Sequence, residues 1–151
     1  MEERGMSNNL LRLLAALLLG LLALPRMSLA GGPPGLAVIN GQKVLTLISR
    51  DPPGVRCNNN IQVAAELSNL YKVPVQVIPV SFAGPGAKAP AVYYGDQLLA
   101  VDGGELNGMV SFSQLADILE IENVPKQEQQ GRLMEVKKDF DTLKAAIKAG
   151  N

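Results

Sequence analysis

"APAVYYGDQLLAVDGGELNGMVSFSQLADIL", residues 89–119, is the stretch whose reading decides the fold of this chain. Pro90 opens it. Ala91–Tyr94 and Gln97–Val101 are short runs of Val, Leu and Tyr on either side of Gly95-Asp96. Two such runs around a Gly-Asp turn predict an antiparallel hairpin. Side chains alternate along a strand, so of Tyr93 and Tyr94 one faces the core and the other the rim. Gly103-Gly104 reads as a turn and lacks the spacing of a phosphate loop. A helix follows: Ser111 or Ser113 supplies the cap, and Phe112, Leu115, Ile118 and Leu119 line one face.

Upstream lies "VRCNNNIQVAAEL", residues 55–67, with the one cysteine of the chain, Cys57. Ile61, Ala64, Ala65, Leu67, Leu70 and Tyr71 keep helical spacing, which predicts a helix from Ile61 to Val73 capped by an Asn among 58–60. The preceding "RDPPGVR" is a loop, because two prolines and a glycine break regular structure. "VPVQVIPV", residues 73–80, reads as a strand, and Pro74 and Pro79 place it at a sheet edge. Residues 81–89 form a Gly/Pro loop. Val44 to Ile48 reads as a buried strand, preceded by Asn40-Gly41, a hairpin signal.

Strand, loop, cysteine at a helix start, helix, strand, loop, proline, hairpin and helix follow in that order from residue 43 to about 121. This order resembles the thioredoxin-like superfamily, most closely over 89–119. The resemblance implies an α/β fold, a trimmed thioredoxin-like one, with a mixed central sheet and flanking helices. It also implies that Cys57 is the nucleophile and that Pro90 is a cis-proline facing it. Two departures are visible. The family's C-x-x-C is here Cys57-Asn58-Asn59-Asn60, so Asn60 stands at the resolving position. The helix expected between the second strand and Pro90 is replaced by the loop 81–89.

The thiol also has a local physical context. A helix start offers unpaired N–H groups and the positive end of the dipole, and Arg56 adds a neighbouring cation as a candidate thiolate stabiliser. The polar "RCNNN" setting predicts an accessible sulfur. A single thiol can form a mixed disulfide but cannot release it from within the chain. Its partner is then another protein or a small thiol. Asn58, Asn59 and Asn60 are candidate ligand-binding amides as well as candidate caps.

Composition narrows the remaining classes. The 151 residues suit one small domain, and 14 basic residues balance 14 acidic ones, so nothing suggests a nucleic-acid partner. With no histidine, Ser-His and Cys-His pairs and His-containing metal sites are excluded within the chain. One cysteine excludes an internal disulfide and an all-Cys metal site. No cofactor and no metal are expected.

Residues 10–24, "LLRLLAALLLGLLAL", end at Pro25, and Ser28 and Ala30 supply the small residues of a signal-peptidase site. This predicts a signal peptide over 1–30, cleavage after Ala30 and a periplasmic or secreted chain with no stable membrane insertion afterwards. The alternative is an N-terminal membrane anchor, although the apolar core is shorter than the roughly 20 residues that span a bilayer. Without residues 1–30 the chain keeps 11 basic and 12 acidic residues. The expected organisation is a lead-in with a hairpin strand over 31–42, a thioredoxin-like domain over 43–123 and a helical tail over 124–151. In the tail, Leu133, Val136, Phe140, Leu143 and Ile147 step by 3 and 4. That stripe suits packing on its own domain, the reading preferred here, or a partner helix and thus a dimer contact. The functions this allows are monothiol exchange or thiol-tethered partner binding, and, as the alternative, a redox-inactive binding or assembly module of an envelope complex.

Overall fold

A computed structural model describes residues 32–149. The segment read as a signal peptide lies outside the described residues, as do Gly31 and residues 150–151. The elements in chain order are β1 (Val38–Ile39), β2 (Gln42–Lys43), β3 (Leu45–Ser49), α1 (Val55–Ser68), β4 (Val75–Pro79), β5 (Ala91–Tyr94), β6 (Gln97–Val101), α2 (Phe112–Ile121) and α3 (Lys137–Ala149). Two short 3-10 turns sit at Val80–Phe82 and Arg132–Met134. The fold is mixed α/β.

β1 and β2 pair antiparallel through Asn40 (φ 50°) and Gly41 (φ 80°), the left-handed pair that a tight hairpin turn needs. The main sheet has the order β4-β3-β5-β6. β3 runs parallel to β4 and antiparallel to β5, and β5 and β6 form the expected hairpin. β4, with its two flanking prolines, is an edge strand. Proline lacks the N–H that an inner strand would have to donate on both sides.

Register sorts the sheet faces. Leu45 pairs with Tyr94 and Leu47 with Val92, and this face meets Val63, Ala64 and Leu67 of α1 and Leu115, Ala116 and Leu119 of α2 in one core. Both helices therefore cover the same face. Leu67 and Val63 are almost wholly buried, and each such side chain contributes about 1.5–3 kcal/mol. The other face carries Ile48 and Ala91, covered by Val80, Ala83 and Ala89 rather than by a helix. On the same face, Gln76 Nε2 donates to Thr46 Oγ1 (2.6 Å) and to Leu36 O (3.0 Å), which ties the lead-in strand to the sheet. Among the described residues no helix is long and apolar enough to cross a membrane.

Two expectations about α1 need correction. The helix begins at Val55 and ends at Ser68, not at Ile61 and Val73. Gly54 is its N-cap, so Asn58, Asn59 and Asn60 lie inside the helix instead of capping it. Isolated asparagines disfavour a helix interior because their amides compete for backbone groups. Here the amides of Asn59 and Asn60 are engaged by a distant loop, so that competition is removed. The α2 cap is as read: Ser111 Oγ accepts from Gln114 N (3.2 Å), and Gln114 Oε1 accepts from Ser111 N (2.9 Å).

The tail docks on its own domain. Tyr71 and Lys126 bridge, Gln127 N donates to Leu70 O, and Gly131 N donates to Asn69 O, each N···O contact being 2.9 Å. These bonds carry residues 126–131 across the end of α1, and α3 then packs along α1. Of the apolar stripe, Phe140 and Ile147 are half-buried, while Val136 and Leu143 stay exposed.

Candidate functional site

The site forms where β3 hands the chain to α1. Pro52 and Pro53 prevent any continuation of the strand, and the extended Gly54 starts the helix without a side-chain cap. The first N–H bonded within the helix is that of Asn58, to Gly54 O at 2.9 Å. Cys57 thus sits in the first turn, where backbone N–H groups are unmatched by the helix. Its sulfur accepts a hydrogen bond from Arg50 N at 3.3 Å. Both Ala89–Pro90 and Asp51–Pro52 are cis. Cys57 and Pro90 line one pocket of about 270 Å³ together with Arg50, Gly54, Val55 and Arg56.

The sulfur is less open than the polar sequence around it predicts. Cys57 is 2% exposed, and it is one of the residues that line that pocket. The role expected of Arg56 also changes. Its Nη1 donates to Asp102 Oδ1 (2.6 Å), Asn107 O (2.6 Å) and Asn107 Oδ1 (2.7 Å), not to the sulfur. Arg50 reaches the same carboxylate through Nη2 (3.2 Å) and holds Ala89 O through Nε (3.0 Å). The hydrogen bond from Arg56, then the two positive charges, hold the Asp102 carboxyl below its ordinary value.

Two of the three asparagines point into the protein, where their amides bond backbone groups of a loop. Asn60 is 2% exposed; its Nδ2 donates to Gly108 O (2.7 Å) and its Oδ1 accepts from Val110 N (3.1 Å). Asn59 Nδ2 donates to Val110 O (2.8 Å). Asn58 alone is half-exposed. The loop they grip is packed tightly onto Pro90: a Cβ on Gly108 (φ 72°) would lie 2.4 Å from Pro90 O. Asn60 is therefore part of a clamp between α1 and the loop that braces Pro90.

No family model matches this chain, and no curated protein or solved structure matches it.

Cys57, Pro90 and Arg56 line one pocket with Arg50, and Asp102, Asn107 and Gly108 lie next to those residues. Asn107-Gly108 is a turn signal in its own right, and both residues have positive φ. Nothing in the sequence pairs Asp102 with Arg50 and Arg56, which lie about fifty positions away. Among the described residues no group of His, Cys, Asp or Glu could hold a metal ion.

Proposed function

We propose that this chain is an exported protein on a thioredoxin-like frame whose single Cys57 exchanges thiols as a monothiol or tethers a partner through a mixed disulfide. One observation carries the reading. Cys57 Sγ lies in the first turn of α1, accepts the Arg50 N–H, and opens onto a pocket shared with cis-Pro90 and two arginines. A first-turn sulfur that receives a backbone N–H and lines a pocket with Pro90 is placed to meet a second sulfur there. In an exchange step the thiolate attacks one sulfur of a disulfide. The Cys57–S bond forms as the old S–S bond breaks, and the leaving thiolate takes a proton from solvent. With Asn60 at the resolving position, release needs a second thiol from outside.

Export rests on the apolar core at 10–24 and on Ser28 and Ala30; intact mass of protein from the expressing cell should begin at Gly31. For the thiol, the test is alkylation of the native protein as pH is varied. The rate should rise with pH without denaturant, and Cys57→Ser should abolish it. Labelling that appears only on unfolding would reject the thiol reading. The near-complete burial of Cys57 favours a second reading, a redox-inactive binding or assembly module that retains the frame. Such a protein would form no mixed disulfide under oxidising conditions.

A further inference from the structure

A second pocket, of about 270 Å³, lies at the other end of β3 from Cys57, where the chain leaves α2 and where it enters β3 and β4. Tyr94, the last residue of β5, lines it and is 3% exposed. A buried tyrosine hydroxyl usually finds a partner. Tyr71 follows that rule, with its hydroxyl on Glu120 at 2.7 Å. The Tyr94 hydroxyl has no hydrogen-bond partner among the described residues. Burial, then the charge of Glu122, raises its pKa, so it is a neutral donor on the side of the pocket that Glu122 lines. Lys43 stands beside it in a fixed pose. Its Nζ bonds Glu122 Oε1 (2.5 Å) and lies 5.3 Å from the centre of the Tyr94 ring, and its stem would meet a Cβ on Gly95 at 3.1 Å. Lys72 also lines the pocket; its Nζ bonds Glu128 (3.2 Å), whose side chain is 90% exposed. Such exposed pairs contribute little, and an ammonium with one bond keeps two donors. Lys43, Lys72 and Glu122 together leave one positive charge in surplus.

We propose that this pocket binds a small monocarboxylate with an apolar body, whose carboxylate accepts from the Tyr94 hydroxyl between Lys43 and Lys72. The body rests on Val73, Pro74, Val124 and Pro125, the apolar part of the lining. A pocket of a few polar groups on an apolar wall is the ordinary form of a small-molecule site. One surplus charge matches one carboxylate, and a bare phosphate would leave the apolar wall uncovered. The binding site shares no residue with the Cys57 pocket and stands independently of the thiol reading.

The test titrates isocaproate, its neutral amide isocaproamide and inorganic phosphate into the native chain, followed by backbone amide NMR. Isocaproate should shift the amides of Lys43, Tyr94 and Asn123 saturably. Isocaproamide, of the same shape without the charge, should bind about tenfold more weakly, the size expected of a charge-assisted hydrogen bond. Phosphate should bind more weakly still. Tyr94→Phe should weaken isocaproate about tenfold and leave the urea midpoint unchanged, because the hydroxyl has no bond within the chain to lose. Lys72→Gln, at a side chain 44% exposed, should lower the affinity severalfold with the fold intact. Equal affinities for the acid and its amide would overturn the proposal, as would phosphate binding as tightly as the acid or shifts confined to other residues. A Tyr94→Phe chain that loses stability would place the hydroxyl in a bond within the protein and overturn it too.

Discussion

Replacing Asn60 should destabilise the chain more than any change at Asn58, although the two amides are near neighbours. Asn60 is 2% exposed and satisfies two backbone groups, Gly108 O at 2.7 Å and Val110 N at 3.1 Å, both on buried residues. Asn60→Ala leaves both without this partner. A buried unsatisfied group costs about 1–3 kcal/mol, so the pair should cost about 3 kcal/mol. That is a large share of the roughly 5–15 kcal/mol of a typical domain. With a urea slope of about 1–3 kcal/mol/M, the unfolding midpoint should fall by about 2 M at unchanged slope. Asn60→Asp sharpens the test. It keeps an acceptor for Val110 N but sets a carboxylate oxygen against Gly108 O. The folded state then favours the protonated acid, which can donate there. Its folded pKa is raised, so the stabilising contribution is present at low pH and lost as pH rises through that raised value. Stability relative to the native chain should therefore recover on acidification. A loss under about 1 kcal/mol for Asn60→Ala, or a pH-independent deficit for Asn60→Asp, would refute the clamp.

Gly108→Ala should cost about 2–4 kcal/mol in the same assay, combining a left-handed φ of 72° with a Cβ 2.4 Å from Pro90 O. The Tyr71 hydroxyl donates to Glu120 (2.7 Å), and that bond, with burial, raises its pKa from 10.0 to about 12. The stabilisation is present below pH 10 and lost as pH rises through about 12, so ultraviolet titration should show a tyrosine titrating near 12 that is absent from Tyr71→Phe. Gln62 is buried and its Oε1 has no hydrogen-bond partner among the described residues. Gln62→Met keeps the bulk and removes that acceptor, so thermal or urea unfolding should show a gain of about 1 kcal/mol. Asp102 should titrate below an ordinary aspartate by carbon-detected NMR, and this shift should shrink in Arg56→Gln, whose hydrogen bond is its main cause.

Local chemistry made most of the sheet and α2 legible in the sequence. Asn40-Gly41 and Gly95-Asp96 carry their turns in the residues themselves, and Ser111 with Gln114 carries its own cap. The start of α1 was not legible, because Asn58-Asn59-Asn60 has local preferences that argue for a cap. What overrides them is a pair of tertiary hydrogen bonds to residues 108–110. The same distance effect hid the cationic pocket. Arg56 reads as a neighbour of Cys57 by sequence, yet its guanidinium goes to Asp102 and Asn107. The tail's stripe was visible, but not its division. Asn69 and Tyr71 receive the tail's backbone, so α3 lies along α1 with only part of the stripe turned inward.

The clamp and the pocket are mechanically one object. Asn60 holds the loop at Gly108, and Gly108 is packed against Pro90. Asp102 N donates to Pro90 O at 2.9 Å, while the Asp102 side chain anchors Arg50 and Arg56. Three of the residues that line the Cys57 pocket, Pro90, Arg50 and Arg56, thus connect through this loop to Asn60. An amide there can brace a wall with a donor and an acceptor at once, whereas a thiol is weak in both roles. On the monothiol reading this exchange of residues is consistent. A chain that never resolves its own mixed disulfide has no use for a second sulfur. It does need the first sulfur, the proline and the two cations held in one arrangement when a partner arrives. Asn60→Cys separates the two demands: it restores the C-x-x-C spacing while breaking the clamp. Such a variant should be less stable than the native chain even where it gains an internal disulfide, and thiol titration against urea unfolding measures both quantities. Equal or greater stability in the reduced state would show that Asn60 contributes nothing to the frame.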